Sequence, residues 1–307
     1  MTHYASSPRG SAPVIIRPGA KINLTLEVLG RRPDGYHDLA TVFQAIELTA
    51  ELAIWPNDGV TLACDRADLG GEGNLAHRAA SLLRESSDTT AGARIRLTKG
   101  VPVAAGLGGG SADAAGALVG CARLWGLDWP AERLVELAAR LGSDCAFFVG
   151  ALVRKESTSL AEGRGERLTP LPPLRPHHVL IVRPRLRQAL PPDKTRRLYA
   201  ALVPADYCNG AATRALVDSL SAGRTLDPNL LVNSFERAAE AVFPEIATAR
   251  AAILAAGADW VRLAGSGPCL YTLFPEGDGE RAAVVAGGLR AAGEEAYLAR
   301  TGVPKQT

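Results

Sequence analysis

Gly106-Leu107-Gly108-Gly109-Gly110-Ser111-Ala112-Asp113-Ala114-Ala115 reads as a glycine loop that opens straight into a helix. Glycines let the backbone turn through positive φ and come close to a ligand, and the free N–H groups of the next helical turn point at it with a favourable dipole. The junction predicts a bound anion, a phosphate above all. Upstream, Arg94-Ile95-Arg96-Leu97 alternates like a strand and leads through Val101-Pro102-Val103; downstream, Ala114, Leu118, Cys121 and Trp125 keep helical spacing. Two familiar phosphate motifs are excluded. The P-loop needs a Lys followed by Ser or Thr, and no Lys occurs between Val101 and Arg154. The dinucleotide fingerprint needs glycine at its sixth position, which counted from Gly106 is Ser111. On this stretch alone, a glycine turn kept for close helix packing stays open.

The 307 residues suffice for two domains, each with its own core. A net charge of +2 implies neither a nucleic-acid partner nor an acidic one. The five cysteines are widely spaced with no Cys-x-x-Cys, against a disulfide scaffold or a zinc site and in keeping with a reducing cytoplasm. No apolar run reaches membrane-spanning length, and the residues through Ala12 lack the apolar core of a signal peptide. Those first residues, 1–12, are expected to be disordered. Pro170-Leu171-Pro172-Pro173-Leu174-Arg175-Pro176 is the expected crossing between domains.

From Ile22 to Val28 the chain alternates strictly, with Ile22, Leu24, Leu26 and Val28 on one face and Lys21, Asn23, Thr25 and Glu27 on the other. This is a strand whose polar face either offers an ammonium and an amide to a ligand or is simply solvated. Arg31-Arg32-Pro33-Asp34-Gly35 supplies turn chemistry before Tyr36-His37. An aromatic ring beside an imidazole suits a nucleobase, and equally suits packing.

Pro130 through Leu141 reads as a short helix capped by Gly142, followed by Ser143-Asp144 and an apolar run, Cys145-Ala146-Phe147-Phe148-Val149, expected to be a buried strand. Asp144 at its lip either takes the proton of an attacking hydroxyl or caps a helix. Near the end, Val261 through Tyr271 reads as strand–glycine turn–strand or strand–loop–helix around Gly265-Ser266-Gly267. Residues 229–236, 246–254 and 281–290 are expected to be helical.

Taken in order, Pro18-Gly19-Ala20-Lys21-Ile22-Asn23-Leu24, Arg32-Pro33-Asp34-Gly35-Tyr36-His37, Pro102 through Ala115, Leu141-Gly142-Ser143-Asp144, Glu162-Gly163-Arg164-Gly165-Glu166 and Leu263 through Cys269 resemble the GHMP kinase superfamily over nearly the whole chain. The Gly-Tyr-His element after a Lys-x-Asn strand points to the branch that phosphorylates the 2-hydroxyl of a cytidine-diphosphate-linked methylerythritol in the non-mevalonate isoprenoid pathway. The resemblance implies an α+β two-domain fold. Residues 1–165 would form an ATP-binding α/β domain of the ribosomal-protein-S5-domain-2 type. Residues 166–307 would form a ferredoxin-like α/β domain whose final strand returns to the first, with the site in the cleft between them.

It further implies ATP as phosphoryl donor, with Mg2+ carried on the nucleotide and no metal site in the protein. Asp144 would be the base and Lys21 would steady charge beside it. Pro102, Val103, Ala104, Ala105, Gly106, Leu107, Gly108, Gly109, Gly110, Ser111 and Ala112 would bind ATP. Asn23 would orient the substrate, Tyr36 and His37 would hold its cytosine, and Gly265, Ser266 and Gly267 would close the phosphate side. Partners would be these small molecules alone, with no nucleic acid and no membrane, for a cytoplasmic monomer or weak homodimer. The segment Arg154 to Ser159 is longer and more polar than the family's usual connection. Pro184 to Tyr199, where the family contacts substrate, matches weakly and contributes no residue. The competing readings are a sibling kinase for homoserine or mevalonate, a silent sensor of the same fold and, more remotely, a dinucleotide-binding reductase.

Overall fold

The computed structural model describes residues 12–306; the disorder expected of residues 1–12 concerns, Ala12 apart, positions outside that range. The first half runs β1 (Val14–Ile16), β2 (Gly19–Arg31), β3 (His37–Thr49), β4 (Glu51–Asn57), β5 (Val60–Cys64), α1 (Leu75–Ser86), β6 (Gly92–Thr98), α2 (Gly109–Leu124), α3 (Ala131–Ala139), α4 (Ser143–Arg154), β7 (Thr158–Gly163) and β8 (Arg167–Pro170). The second runs β9 (His177–Arg183), α5 (Lys194–Ala200), α6 (Ala211–Ser221), α7 (Glu236–Val242), α8 (Glu245–Ala255), β10 (Arg262–Leu263), β11 (Leu270–Pro275), α9 (Gly279–Ala291) and β12 (Glu295–Arg300).

Among the described residues the strands make three four-stranded sheets, ordered β1-β4-β6-β5, β2-β3-β7-β8 and β10-β11-β9-β12, antiparallel throughout except for the parallel β5–β6 pair. The expected division at 165/166 lies in the turn between β7 and β8, and the proline-rich segment runs on from β8 into β9. β12 pairs with β9; beyond it, Thr301 bridges to Ile46, and the Gln306 side chain bonds the backbone of Arg17.

Alternation divides the core. Leu180 and Val182 of β9 pack with α7, α8 and α9, while Val179 and Ile181 face the other way, onto Ile22 and Leu24 of β2 and Leu216 and Leu220 of α6. A third cluster joins α1, α2, α3 and α4 to β4 and β6 through Leu52, Ile54, Ile95 and Leu97. Each such side chain taken out of water contributes about 1.5–3 kcal/mol, so the apolar period holds the halves together.

One open alternative is decided and two expectations are corrected. The polar face of β2 is not solvated: Lys21, Asn23, Thr25 and Glu27 are all buried. Their polar groups are matched instead, the Glu27 carboxylate accepting from the Thr213 N–H at 2.7 Å and the Thr25 hydroxyl from that of Thr213 at 2.9 Å. Cys145–Val149 is no strand but part of α4, enclosed by α2 and α3; a short apolar run looks alike in a buried strand and a buried helix. Residues 229–236 form no single helix. A 3-10 turn at Pro228–Leu230 gives way to backbone that pairs with β2, Leu26 N–H to Val232 O and Ser234 N–H to Leu26 O at 2.8 Å each. Helix α7 begins only at Glu236. Residues 246–254 and 281–290 are helical, within α8 and α9.

Candidate active site

β2 carries Lys21 and Asn23 into the space between the halves. The register slips between Asn23↔Phe43 and Thr25↔Val42, leaving Leu24 as an extra residue that bends the strand there. Lys21 Nζ donates to Asn23 Oδ1 at 2.7 Å, Asn23 Nδ2 donates to Thr41 Oγ1 at 2.7 Å, and the Thr41 hydroxyl donates to Thr25 O at 2.5 Å. Asp144, in the first turn of α4, places Oδ2 3.7 Å from Lys21 Nζ. Burial lowers the Lys21 pKa, and the Asp144 charge partly offsets this. The Phe43 ring lies 5.1 Å from the ammonium. Two groups 123 positions apart in sequence thus share one polar centre, open to solvent on the Asp144 side, whose side chain is 31% exposed.

Beside this centre two glycine segments touch. Gly106 (φ 84°) and Gly108 (φ 71°) take the left-handed backbone conformation, and Gly108 is the N-cap of α2. The first helical bond is Ala112 N–H to Gly108 O at 2.9 Å, so the N–H groups of Gly109, Gly110 and Ser111 precede it and face outward. Opposite, β10 and β11 form a hairpin, which selects strand–glycine turn–strand for Val261–Tyr271. Its turn approaches the loop so closely that a Cβ on Gly106 would strike Ala264 O, and one on Gly265 would lie 2.6 Å from Gly106 O. Lys21 N–H donates to Leu107 O at 3.0 Å, fastening β2 to the same loop.

Three continuous depressions surround the centre. One of about 610 Å³ is lined by Pro102, Val103, Ala104, Ala105, Gly106, Gly108, Gly109, Gly110 and Ser111, with Lys99, Asp113 and Asn74. Leu107 and Ala112 do not face it; both are buried, because the loop and helix turn those side chains into the core. A second, of about 350 Å³, holds Lys21, Asn23, Thr41, Ser111, Asp144, Thr195, Gly265 and Ser266. Gly267 lies behind it, its N–H bonded to Ala264 O at 2.8 Å. A third, of about 450 Å³, contains Tyr36 and His37 and shares Ser143, Arg164, Thr195 and Tyr199 with the second. Such volumes accommodate small ligands.

Several residues here escaped the sequence reading. Tyr199 stacks on His37 with centroids 4.6 Å apart, and Arg164 lies 3.9 Å from the Tyr36 ring centre. Burial and the Arg31 charge lower the His37 pKa, which keeps the imidazole neutral near pH 7. Thr41 anchors Asn23, and Lys194 and Thr195 reach the glycine turn. Arg164 sits in a quoted motif, but nothing in its own neighbourhood gave it a role; Tyr199 and Lys194 come from the weakly matching 184–199 segment.

Residues 74–151 match the GHMP kinases N terminal domain and residues 216–287 the GHMP kinases C terminal domain. The chain is similar to the 4-diphosphocytidyl-2-C-methyl-D-erythritol kinase of Pelotomaculum thermopropionicum, 41% identical over 290 residues that cover 93% of this chain and 97% of that one. The protein of the same name from Dehalococcoides mccartyi is 38% identical over 282 residues, covering 92% and 96%. A solved 4-(cytidine 5'-diphospho)-2C-methyl-D-erythritol kinase superposes with a TM-score of 0.77 at 35% identity, over 94% of this chain and 99% of that one. A homoserine kinase from Cytophaga hutchinsonii superposes with a TM-score of 0.71 at 17% identity, over 99% and 98%, a likeness of fold.

Proposed function

The chain belongs to the 4-diphosphocytidyl-2-C-methyl-D-erythritol kinases of the GHMP kinase family, and on that footing we propose that it transfers the γ-phosphoryl group of ATP to the 2-hydroxyl of 4-diphosphocytidyl-2-C-methyl-D-erythritol, releasing ADP. The reaction is a step of the non-mevalonate route to isoprenoid precursors. The observation that carries the reading is the buried Lys21 ammonium, 3.7 Å from the Asp144 carboxylate, where the two glycine segments meet.

Phosphoryl transfer asks a protein mainly for positioning and for charge opposite the moving oxygens. The outward N–H groups of Gly109, Gly110 and Ser111 hold the terminal phosphates at the α2 dipole. Asp144 orients the acceptor hydroxyl and takes its proton, while the Lys21 ammonium beside it balances the negative charge that develops. Asn23, fixed by Thr41, holds the ammonium in line. Tyr36, His37 and Tyr199 receive the cytosine at the third depression.

A magnesium ion carried on the nucleotide would be held mainly by phosphate oxygens, with Asp144 and the Ser111 hydroxyl as the protein oxygens of the second depression that would face it. When bound, it neutralises charge on the transferred group. Among the described residues no helix is long and apolar enough to cross a membrane.

The test is ADP release by the purified chain against the cytidine substrate, homoserine and mevalonate. Turnover with the cytidine compound alone, one phosphorylated product per ADP, is expected. Comparable turnover of homoserine or mevalonate replaces the substrate; binding of ATP and the cytidine compound with no ADP formed makes the protein a sensor.

A further inference from the structure

Lys194 opens α5 and is 6% exposed. Its ammonium donates to Ala104 O at 3.2 Å, to Ser266 O at 3.3 Å and, closest of all, to Gly267 O. Three N–H donors meet three carbonyls, two in the turn after β10 and one in the loop before α2. The position is electrostatically unfavourable in itself. Burial and nearby Lys21 lower the Lys194 pKa to about 8, and the first turn of a helix disfavours a cation. The carbonyls therefore hold the charge there, and the charge holds them. One belongs to Ala104, a non-glycine residue at φ 55°, a conformation that its surroundings must impose.

The same short helix reaches the other ligand. Thr195 Oγ1 lies 3.3 Å from Ser266 Oγ, and Tyr199 stacks on His37 at the proposed cytidine pocket. Helix α5 thus touches the cytidine pocket with one end and both phosphate-side glycine segments with the other. We propose that Lys194 is a positioning residue that couples the two substrate sites: occupation of the cytidine pocket fixes α5, and α5, through the Lys194 ammonium, fixes the loop that receives the triphosphate. The inference rests on the kinase reading above and adds a thermodynamic link between its two ligands, which by reciprocity acts equally in both directions.

The test is calorimetric titration of a non-hydrolysable ATP analogue into the intact protein, with and without saturating 4-diphosphocytidyl-2-C-methyl-D-erythritol. In the wild type the cytidine compound is expected to tighten the analogue by about tenfold, within the usual range of coupling between sites. In Lys194→Met each ligand still binds, and the ratio falls towards one. Thr195→Val, which removes the hydroxyl that meets the Ser266 hydroxyl, lowers the ratio part of the way and supplies the reading if Lys194→Met does not fold. A wild-type ratio of one, or an undiminished ratio in either variant, overturns the coupling. Failure of the cytidine compound to bind the wild type at all overturns the kinase reading instead.

Discussion

Lys21 meets two opposed demands, since burial drives its proton off and Asp144 draws it back, with burial the larger effect. Its charged form is the working one, so kcat/KM is expected to fall on the alkaline side at a pH below the 10.5 of an ordinary lysine. Stability responds in the opposite direction. Between the depressed folded value and 10.5 the unfolded chain keeps the proton that the folded one has lost, so this residue's contribution to stability rises with pH across that window. The unfolding free energy of wild type relative to that of Lys21→Met should rise with pH across that window; a pH-independent difference contradicts the depressed value. Asp144→Asn should lower kcat by roughly 10²–10⁴-fold, the usual worth of a placed acid–base group, while the affinity for ATP changes little. A kcat near that of wild type removes Asp144 from the mechanism. Lys21 drew notice on the polar face of an alternating strand and Asp144 at the lip of an apolar run, and their roles came from the family resemblance. Thr41 and Lys194 were not legible, since a hydroxyl facing Asn23 and an ammonium facing three carbonyls owe their roles to partners far away in sequence.

At the scale of the element, the start of α2 separates two uses of glycine. Gly106 is needed by the fold: its φ is 84° and a Cβ would strike Ala264 O. Gly110 is not, for it sits in regular helix with open space where a Cβ would go, on the wall of the 610 Å³ depression. Its lack of a side chain serves the ligand. Gly110→Ala should therefore keep or raise the melting temperature, alanine being favoured over glycine in a helix by about 0.5–1 kcal/mol, and yet raise the KM for ATP severalfold. Gly106→Ala should lower both stability and activity. Equal melting losses in the two variants would contradict the distinction. This strand–loop–helix junction and β2 were readable from period and turn chemistry alone. α4 was not, because buried on every side it shows no amphipathic period, and its apolar run passed for a strand. Residues 231–234 look helical in composition but spend their hydrogen bonds on β2, a competition visible only once the halves are together.

Across the whole molecule, the cleft exists because β2 belongs to both halves. It pairs with β3 in one sheet, and its Ile22 and Leu24 pack under the face of β9 in another. The glycine turn after β10 is then tied to the segment bridged to β2 by Asn233, whose amide donates to Leu263 O and Gly265 O at 2.9 and 2.8 Å, and to the loop before α2 by the Cys269 N–H, which donates to Ala105 O at 3.3 Å. The order of motifs along the chain announced such a meeting; how close it is, and that α5 spans it, follow from the packing of three sheets and had no local trace. The most direct measurement is a crystal structure of the complex with a non-hydrolysable ATP analogue and 4-diphosphocytidyl-2-C-methyl-D-erythritol. The acceptor 2-hydroxyl should lie within about 3 Å of the Asp144 carboxylate, with Lys21 beside it and the γ-phosphate at the N-terminus of α2. An acceptor hydroxyl bound away from Asp144 and Lys21, or a triphosphate placed elsewhere than the 106–111 loop, contradicts the assignment of this cleft as the site of phosphoryl transfer.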